Sequence, residues 1–278
     1  VAERPLPPLR EIIAAHGLAA DKRLGQHFLL DLNLTAKIAR AAGHLDGVSV
    51  IEIGPGPGGL TRALLETDAA KVIAVERDTR CVAALQSLVA ASDGRLELIE
   101  ADALALNVAA LARAPRAIVA NLPYNVATPL LLGWLARIPD FVSLTLMFQR
   151  EVAERLVAAP RTKAYGRLSV MTQWLTEPRL LFDLPARAFT PPPKVDSSVV
   201  RLVPRKFEAD EPRFAAMERV VAAAFGQRRK MLRAALKTFA PDPITLLEQA
   251  GIDPTARAEE LDIDSFKRLA RLASDPRA

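Results

Sequence analysis

The sequence predicts an α/β domain, a largely parallel sheet covered by helices on both faces, followed by a small all-helical C-terminal domain. Three observations carry this. Short β-branched runs recur at 48–53, 72–75, 96–99, 118–119 and 141–148, with Ala- and Leu-rich helical stretches between them, and that alternation is the pattern of a parallel sheet between helical layers. A turn dense in glycine, Gly54-Pro55-Gly56-Pro57-Gly58-Gly59, closes the first run. After Val203 the strand-like runs cease and only helical periodicities remain.

Taken in order, Leu9, Ile12 and Ile13 recur at helical spacing and predict a short amphipathic helix that stops at Gly17. A polar loop from Asp21 to Leu29 follows, and then a second helix through Leu34, Ile38 and Ala42; residues 1–47 thus form a helical lid on the first domain. Beyond the alternating part, the runs at 180–184 and 198–203, joined through Pro191-Pro192-Pro193, predict antiparallel strands added at the sheet edge. Helical patterns around 214–225, 231–239, 244–249 and 265–272 place a second domain at 206–278, the first occupying 1–205.

A chain of 278 residues, half of them apolar, buries a large core. Its formal charge of +5 suits an anionic partner without naming one. Three scattered histidines and a single cysteine, Cys81, give neither metal-ligand spacing nor a disulfide, so no metal is expected and Cys81 is read as packing. No stretch approaches the ~18 apolar residues of a membrane span, and the N-terminus lacks the pattern of a secretion signal. The expectation is a soluble cytoplasmic monomer.

In an open parallel sheet, ligands bind beyond the carboxyl ends of the strands. The first such end runs from Glu52 to Thr61, where missing side chains let backbone approach a ligand. Its spacing fits the Gly-x-Gly-x-x-Gly of dinucleotide sites and the Glu-x-Gly-x-Gly-x-Gly of methyltransferases equally. The second end places Glu76 about twenty residues beyond the glycines, where a carboxylate accepts both hydroxyls of a ribose. A solvated charge beside Arg77 is the plain alternative, and the glycine turn favours the ligand. At the third end Asp102, followed by Ala103, either accepts from an adenine amine or caps a helix, and the two roles are compatible.

Asn121-Leu122-Pro123-Tyr124 follows the fourth run and narrows the chemistry. An adenine amine is a poor nucleophile because its lone pair is delocalised into the ring. Methylation asks that nitrogen to become more tetrahedral, so acceptors must draw its hydrogens out of plane. The Asn121 amide oxygen and the Leu122 carbonyl are two such acceptors; Pro123 removes a competing N–H and stiffens the turn, and Tyr124 offers a face to a base flipped out of its stack. No general base of shifted pKa is required. The plain alternative is an Asx turn capped by proline.

With Gly25-Gln26-His27-Phe28-Leu29, 149–156, 163–169, 189–197 and Phe225-Gly226-Gln227-Arg228-Arg229-Lys230 added to these ends, the chain resembles the ribosomal RNA small-subunit adenine dimethyltransferases, the KsgA/RsmA family, over nearly its full length. The resemblance implies a Rossmann-like class I methyltransferase sheet, S-adenosylmethionine as cofactor and S-adenosylhomocysteine as product. It implies N6,N6-dimethylation of two adjacent adenosines near the 3′ end of 16S rRNA within the small ribosomal subunit, with a role in subunit maturation. By the same resemblance His27 and Leu29 cover the methionine end of the cofactor and Gly54 and Gly56 flank it. Glu76 holds the ribose, Asp102 and Ala103 hold the adenine, and Asn121 meets both cofactor and target amine. Phe189 sits on the target base opposite Tyr124, completing a catalytic set with Asn121, Leu122 and Pro123. Many members carry asparagine where His27 stands.

Arg228, Arg229, Lys230, Arg233 and Lys237 fall in a stretch with no acidic residue between Glu218 and Asp242, a patch suited to RNA phosphates, which Lys22 and Arg23 extend. A solvated helix face is the plain alternative. Three other functions share part of this pattern. A nicotinamide-dependent dehydrogenase uses the glycine turn and Glu76 but has no need of the tetrad. A large-subunit rRNA adenine methylase shares the tetrad but usually not the 225–230 segment. A ribosome-assembly checkpoint binds the immature subunit with catalysis secondary.

Overall fold

The computed structural model describes residues 8–20 and 25–273. The chain divides into two compact units, Val1–Ala153 with Arg179–Pro204, and Glu154–Pro178 with Arg205–Ala278.

In the first unit, α1 (Leu9–Ala15), β1 (Phe28–Leu29) and α2 (Leu32–Ala41) precede an alternating series: β2 (Ser49–Ile53), α3 (Gly59–Leu65), β3 (Lys71–Glu76), α4 (Thr79–Ala90), β4 (Leu96–Glu100), β5 (Arg116–Asn121), α5 (Tyr124–Leu135) and β6 (Ser143–Gln149). Then come α6 (Arg150–Leu156), α7 (Arg167–Leu175), β7 (Thr176–Leu184), β8 (Phe189–Thr190) and β9 (Ser197–Pro204). The seven-stranded sheet has the order β4-β3-β2-β5-β6-β9-β7. Neighbours from β4 through β6 are parallel, and β9 joins β6 antiparallel. Val50, Val72, Ala74, Ala117, Val119 and Met147 alternate onto one face and pack with Ile38, Leu60 and Leu64. Ile51, Ile73 and Ile118, on the opposite face, are equally buried. Burial on both faces explains why these strands read as continuous apolar runs.

Because β3 and β4 lie on one side of β2 and β5 and β6 on the other, the strand order reverses between β2 and β5. Their carboxyl ends flank the crevice where ligands bind in such sheets. A second, two-stranded sheet pairs β1 with β8 antiparallel, Phe28 opposite Thr190 and Leu29 opposite Phe189. It was not legible as strand because each partner is only two residues long.

The second unit holds α7 together with α8 (Phe214–Gly226), α9 (Leu232–Ala235), α10 (Pro243–Gln249) and α11 (Ile263–Leu272). The division departs from the expected boundary because residues 154–178 join it. Tyr165 is fully buried, its hydroxyl donating to the Leu261 carbonyl at 2.9 Å, and Trp174 stacks on Phe214 at 6.1 Å while its Nε1 donates to Glu211 at 2.8 Å. Counting strands assigned this stretch to the sheet domain; its aromatic side chains bind it to the helices instead.

Candidate active site

A cleft opens at the β2/β5 switch point, where sheets of this topology bind ligands. It is walled by the glycine turn after β2, by Glu76 and Arg77 after β3, by Asn121 through Tyr124 after β5, and by the loop Gly25–Leu29. Two glycines are required for space. A Cβ on Gly56 would meet the Phe28 ring at 3.2 Å at a φ of +56°, and one on Gly59 would fall 2.7 Å from the Leu29 carbonyl oxygen. The loop can therefore lie directly on the turn only because both side chains are missing.

Contacts from several elements hold that loop. Gln26 Nε2 donates to Asp78 at 2.9 Å, the β1–β8 ladder fixes Phe28 and Leu29, and His27 Nδ1 lies 2.7 Å from the Pro191 carbonyl oxygen. A carbonyl only accepts, so Nδ1 carries the proton. Arg80 holds the Asp78 carboxyl down to about 2, leaving it an acceptor at neutral pH.

Glu76 is buried. Its Oε1 accepts from the Arg77 and Asp78 amides, each at 2.8 Å, and its Oε2 from the Gly56 amide at 3.1 Å. Burial raises its pKa and the three amides oppose that rise, so the carboxylate fixes the glycine turn and faces the same cleft. At the end of β5, Asn121 Nδ2 donates to the His27 carbonyl at 3.4 Å. This contact orients the amide, leaving Oδ1 as the free acceptor. Tyr124 begins α5, its hydroxyl 2.6 Å from Ser197 Oγ, and its ring lies 5.6 Å from that of His27. Burial raises the phenol pKa. It is a neutral anchored ring, suited to stacking and not to proton abstraction.

Not every expected residue reaches the cleft. Asp102 caps the turn at Ala103–Ala105 by accepting from the Leu104 amide at 3.0 Å and pairs with Arg77 at 3.2 Å. The cleft wall is Arg77 there, and Ala103 faces a separate groove with Leu104 and Trp134. Phe189 is 2% exposed and packs in the core with Leu29, Met147 and Val199. It is not among the residues that line the cleft. Leu29 and Leu122 are both buried, Leu122 more deeply, while both contribute to the cleft wall. Glu52 went unassigned in the sequence although it opens the glycine motif; it lines the cleft while fully buried, a combination that only the fold reveals.

In the second unit the basic residues separate by role. Arg228 donates to Glu259 at 2.8 Å and to the Lys163 carbonyl at 2.9 Å. Arg229, Lys230, Arg233 and Lys237 are exposed, and the bridge between Met231 and Arg257 brings exposed Arg257 beside them. Lys22 and Arg23 lie outside the described residues. Arg228→Ala is expected to cost about 1–2 kcal/mol, discounted for partial exposure, because it strands a carboxylate and a carbonyl. Lys230→Ala should stay within about 0.5 kcal/mol. Urea melts of the two variants check this, and equal stabilities would sink the distinction.

The strand order, the glycine turn under the β2/β5 crevice and the acidic residue after β3 are those of a Rossmann-like sheet, and with the Asn121–Tyr124 tetrad after β5 they make the class I S-adenosylmethionine-dependent methyltransferase fold. Solved structures agree. A dimethyladenosine transferase from Plasmodium falciparum is 27% identical with a TM-score of 0.75, over 87% of this chain and 96% of that one. The 23S rRNA methyltransferase ErmE is 30% identical with a TM-score of 0.64, over 88% and 99%. Among curated relatives, proteins called ribosomal RNA small subunit methyltransferase A from Rhodospirillum rubrum and Azorhizobium caulinodans are each 61% identical, over 97% and 95% of this chain and 94% and 92% of their own lengths. The model of the family described as ribosomal RNA adenine dimethylase matches residues 17–275. The chain belongs to that family.

The cleft fits the cofactor on its own evidence. At Gly54 and Gly56 the backbone itself lines it, Glu76 contributes a buried carboxylate to its wall, and Glu52 Oε2 is buried there without a hydrogen-bond partner.

Proposed function

We propose that this chain transfers methyl groups from S-adenosylmethionine to the N6 amines of two adjacent adenosines near the 3′ end of 16S rRNA in the small ribosomal subunit. The observation that carries the reading is the placement of Asn121-Leu122-Pro123-Tyr124 on the rim of the glycine cleft, across from Glu76. When bound, the cofactor supplies a methyl group activated by a sulfonium. Gly54, Gly56, Leu29 and Glu76 hold it, and the loop carrying His27 closes over it and excludes water. Asn121 Oδ1 and the Leu122 carbonyl accept the amine hydrogens, which pushes the nitrogen lone pair out of conjugation toward the methyl. Tyr124 stacks the flipped base, and the amine proton leaves to solvent after transfer. Phe189 can serve as a second stacking face only by leaving the core.

Arg229, Lys230, Arg233, Lys237 and Arg257 are assigned to phosphate contacts, which set affinity and its salt dependence. Among the described residues no helix is long and apolar enough to cross a membrane; the proposed substrate assigns the activity to the cytoplasm, where subunits mature, and we take the acting form to be a monomer. Names of curated relatives at about 60% identity favour the small subunit over the large. The deciding experiment incubates the protein and labelled S-adenosylmethionine with small and large subunits lacking the modification, then maps the product. Dimethyladenosine confined to the small subunit is expected. Label on 23S rRNA alone, or none on adenosine, overturns the proposal.

A further inference from the structure

Glu52 shares a strand face with Val50, is 1% exposed, lines the cleft, and leaves Oε2 without a hydrogen-bond partner. The groups around it offer little to an ionised carboxylate. From β3 comes Glu76, of the same charge; from α3 comes Thr61, whose hydroxyl favours the ionised form but lies outside hydrogen-bond distance of Oε2. The α2 side presents Ile38, with Lys37 and Arg40 turned to solvent, while β5 ends in uncharged Asn121 and the covering loop brings His27. Burial, more than Glu76, raises the acid to about 8, against an opposing influence from Thr61.

A buried, unsatisfied carboxyl in a ligand site is costly unless the ligand supplies what is missing. The methyl donor carries a fixed positive charge on sulfur that the product lacks, and the two are otherwise alike. We propose that Glu52 discriminates donor from product by charge: neutral in the free cleft, it releases its proton to solvent when the sulfonium donor binds and regains it when the thioether product remains. The inference rests on the reading of the cleft as the S-adenosylmethionine site. Its physical basis is that a positive charge in a site of low dielectric favours the ionised form of a nearby acid. Donor affinity then rises with pH toward the free-state pKa of Glu52, while product affinity follows pH much less. Spent cofactor would leave more readily between successive transfers.

The test is calorimetric titration of the full chain with S-adenosylmethionine and with S-adenosylhomocysteine at pH 7, in two buffers of different ionisation enthalpy. The expected result is about half a proton or more released per donor bound, and clearly less per product. Between pH 6 and 7.5 the affinity ratio of donor to product should grow about fivefold or more. Glu52→Gln, nearly isosteric, should abolish the excess release and flatten the ratio, with the titration of the ligand's own amine remaining as a baseline. Equal release by both ligands, or release that persists in the variant, overturns the proposal. If the variant does not fold, the wild-type comparison of the two ligands decides alone. Failure of the wild-type chain to bind the donor at all would overturn the parent reading of the cleft, a distinguishable outcome.

Discussion

Asn121→Ala is expected to lower the rate of methyl transfer about 10²–10³-fold while changing the affinity for S-adenosylmethionine by less than about fivefold. The reason lies in when the contact is made. A planar amine gains little from Oδ1, whereas a nitrogen becoming tetrahedral directs a hydrogen at it, so the interaction belongs mainly to the transition state. The side chain is aimed in advance, since Nδ2 donates to the His27 carbonyl at 3.4 Å and α5 begins three residues later. Asn121→Asp retains an acceptor but faces that carbonyl with an anion, and should recover only part of the rate. Single-turnover transfer of labelled methyl to unmodified small subunits, beside calorimetric donor binding, separates the effects. A variant with weakened donor binding and an unchanged rate at saturation would make Asn121 a cofactor clamp and remove it from the chemistry.

How much of this was legible in the sequence depends on the range of the interaction. The strands at 72–75 and 96–99 lie within observed strands only one residue longer at one or both ends; β3, buried on both faces, writes its burial into consecutive residues, while β4, at the sheet edge, is legible from its β-branched and leucine residues alone. The glycine turn and the tetrad were legible for a related reason: backbone conformation and a strand-end position are local properties. The departures are all long-range. Phe189 was read as a stacking ring from its motif, yet it packs in the core on a two-residue ladder to Leu29, 160 positions away in sequence. Asp102 reads as a ligand contact or as a cap, and only the position of Arg77 shows that it caps and reaches the cleft through a neighbour. In the basic run, nothing local distinguishes Arg228 from Arg229; its partners come from residues 163 and 259. Glu52 is the sharpest case, since a charged residue after Ile51 looks solvated until the sheet buries it.

Phe266→Ala should destabilise the second unit by about 3–5 kcal/mol. Its side chain is fully buried, stacked on Phe225 with centroids 5.8 Å apart, and Phe225 meets Tyr165 edge-on at 6.0 Å. Three rings from α11, α8 and the segment before α7 thus close one core, and removing Phe266 from one end of the series leaves a cavity that rigid aromatic neighbours cannot fill. Phe266→Leu retains most of the volume and should cost about 1–1.5 kcal/mol. The measurement is available within the chain, because Trp134 lies in the first unit and Trp174 in the second. With Trp134→Phe as background, urea unfolding followed through Trp174 reports on the helical unit, where that indole is held by Glu211 and Phe214. Arg229, Lys230 and Lys237 are carried by the same unit, so near the transition RNA affinity should fall in parallel with the Trp174 signal while donor binding persists. A loss below about 1 kcal/mol, or equal losses for alanine and leucine, would mean that the aromatic stack does not support this unit. A collapse of donor binding in step with the Trp174 signal would instead show that the two units unfold cooperatively, and the RNA patch could not then be lost by itself.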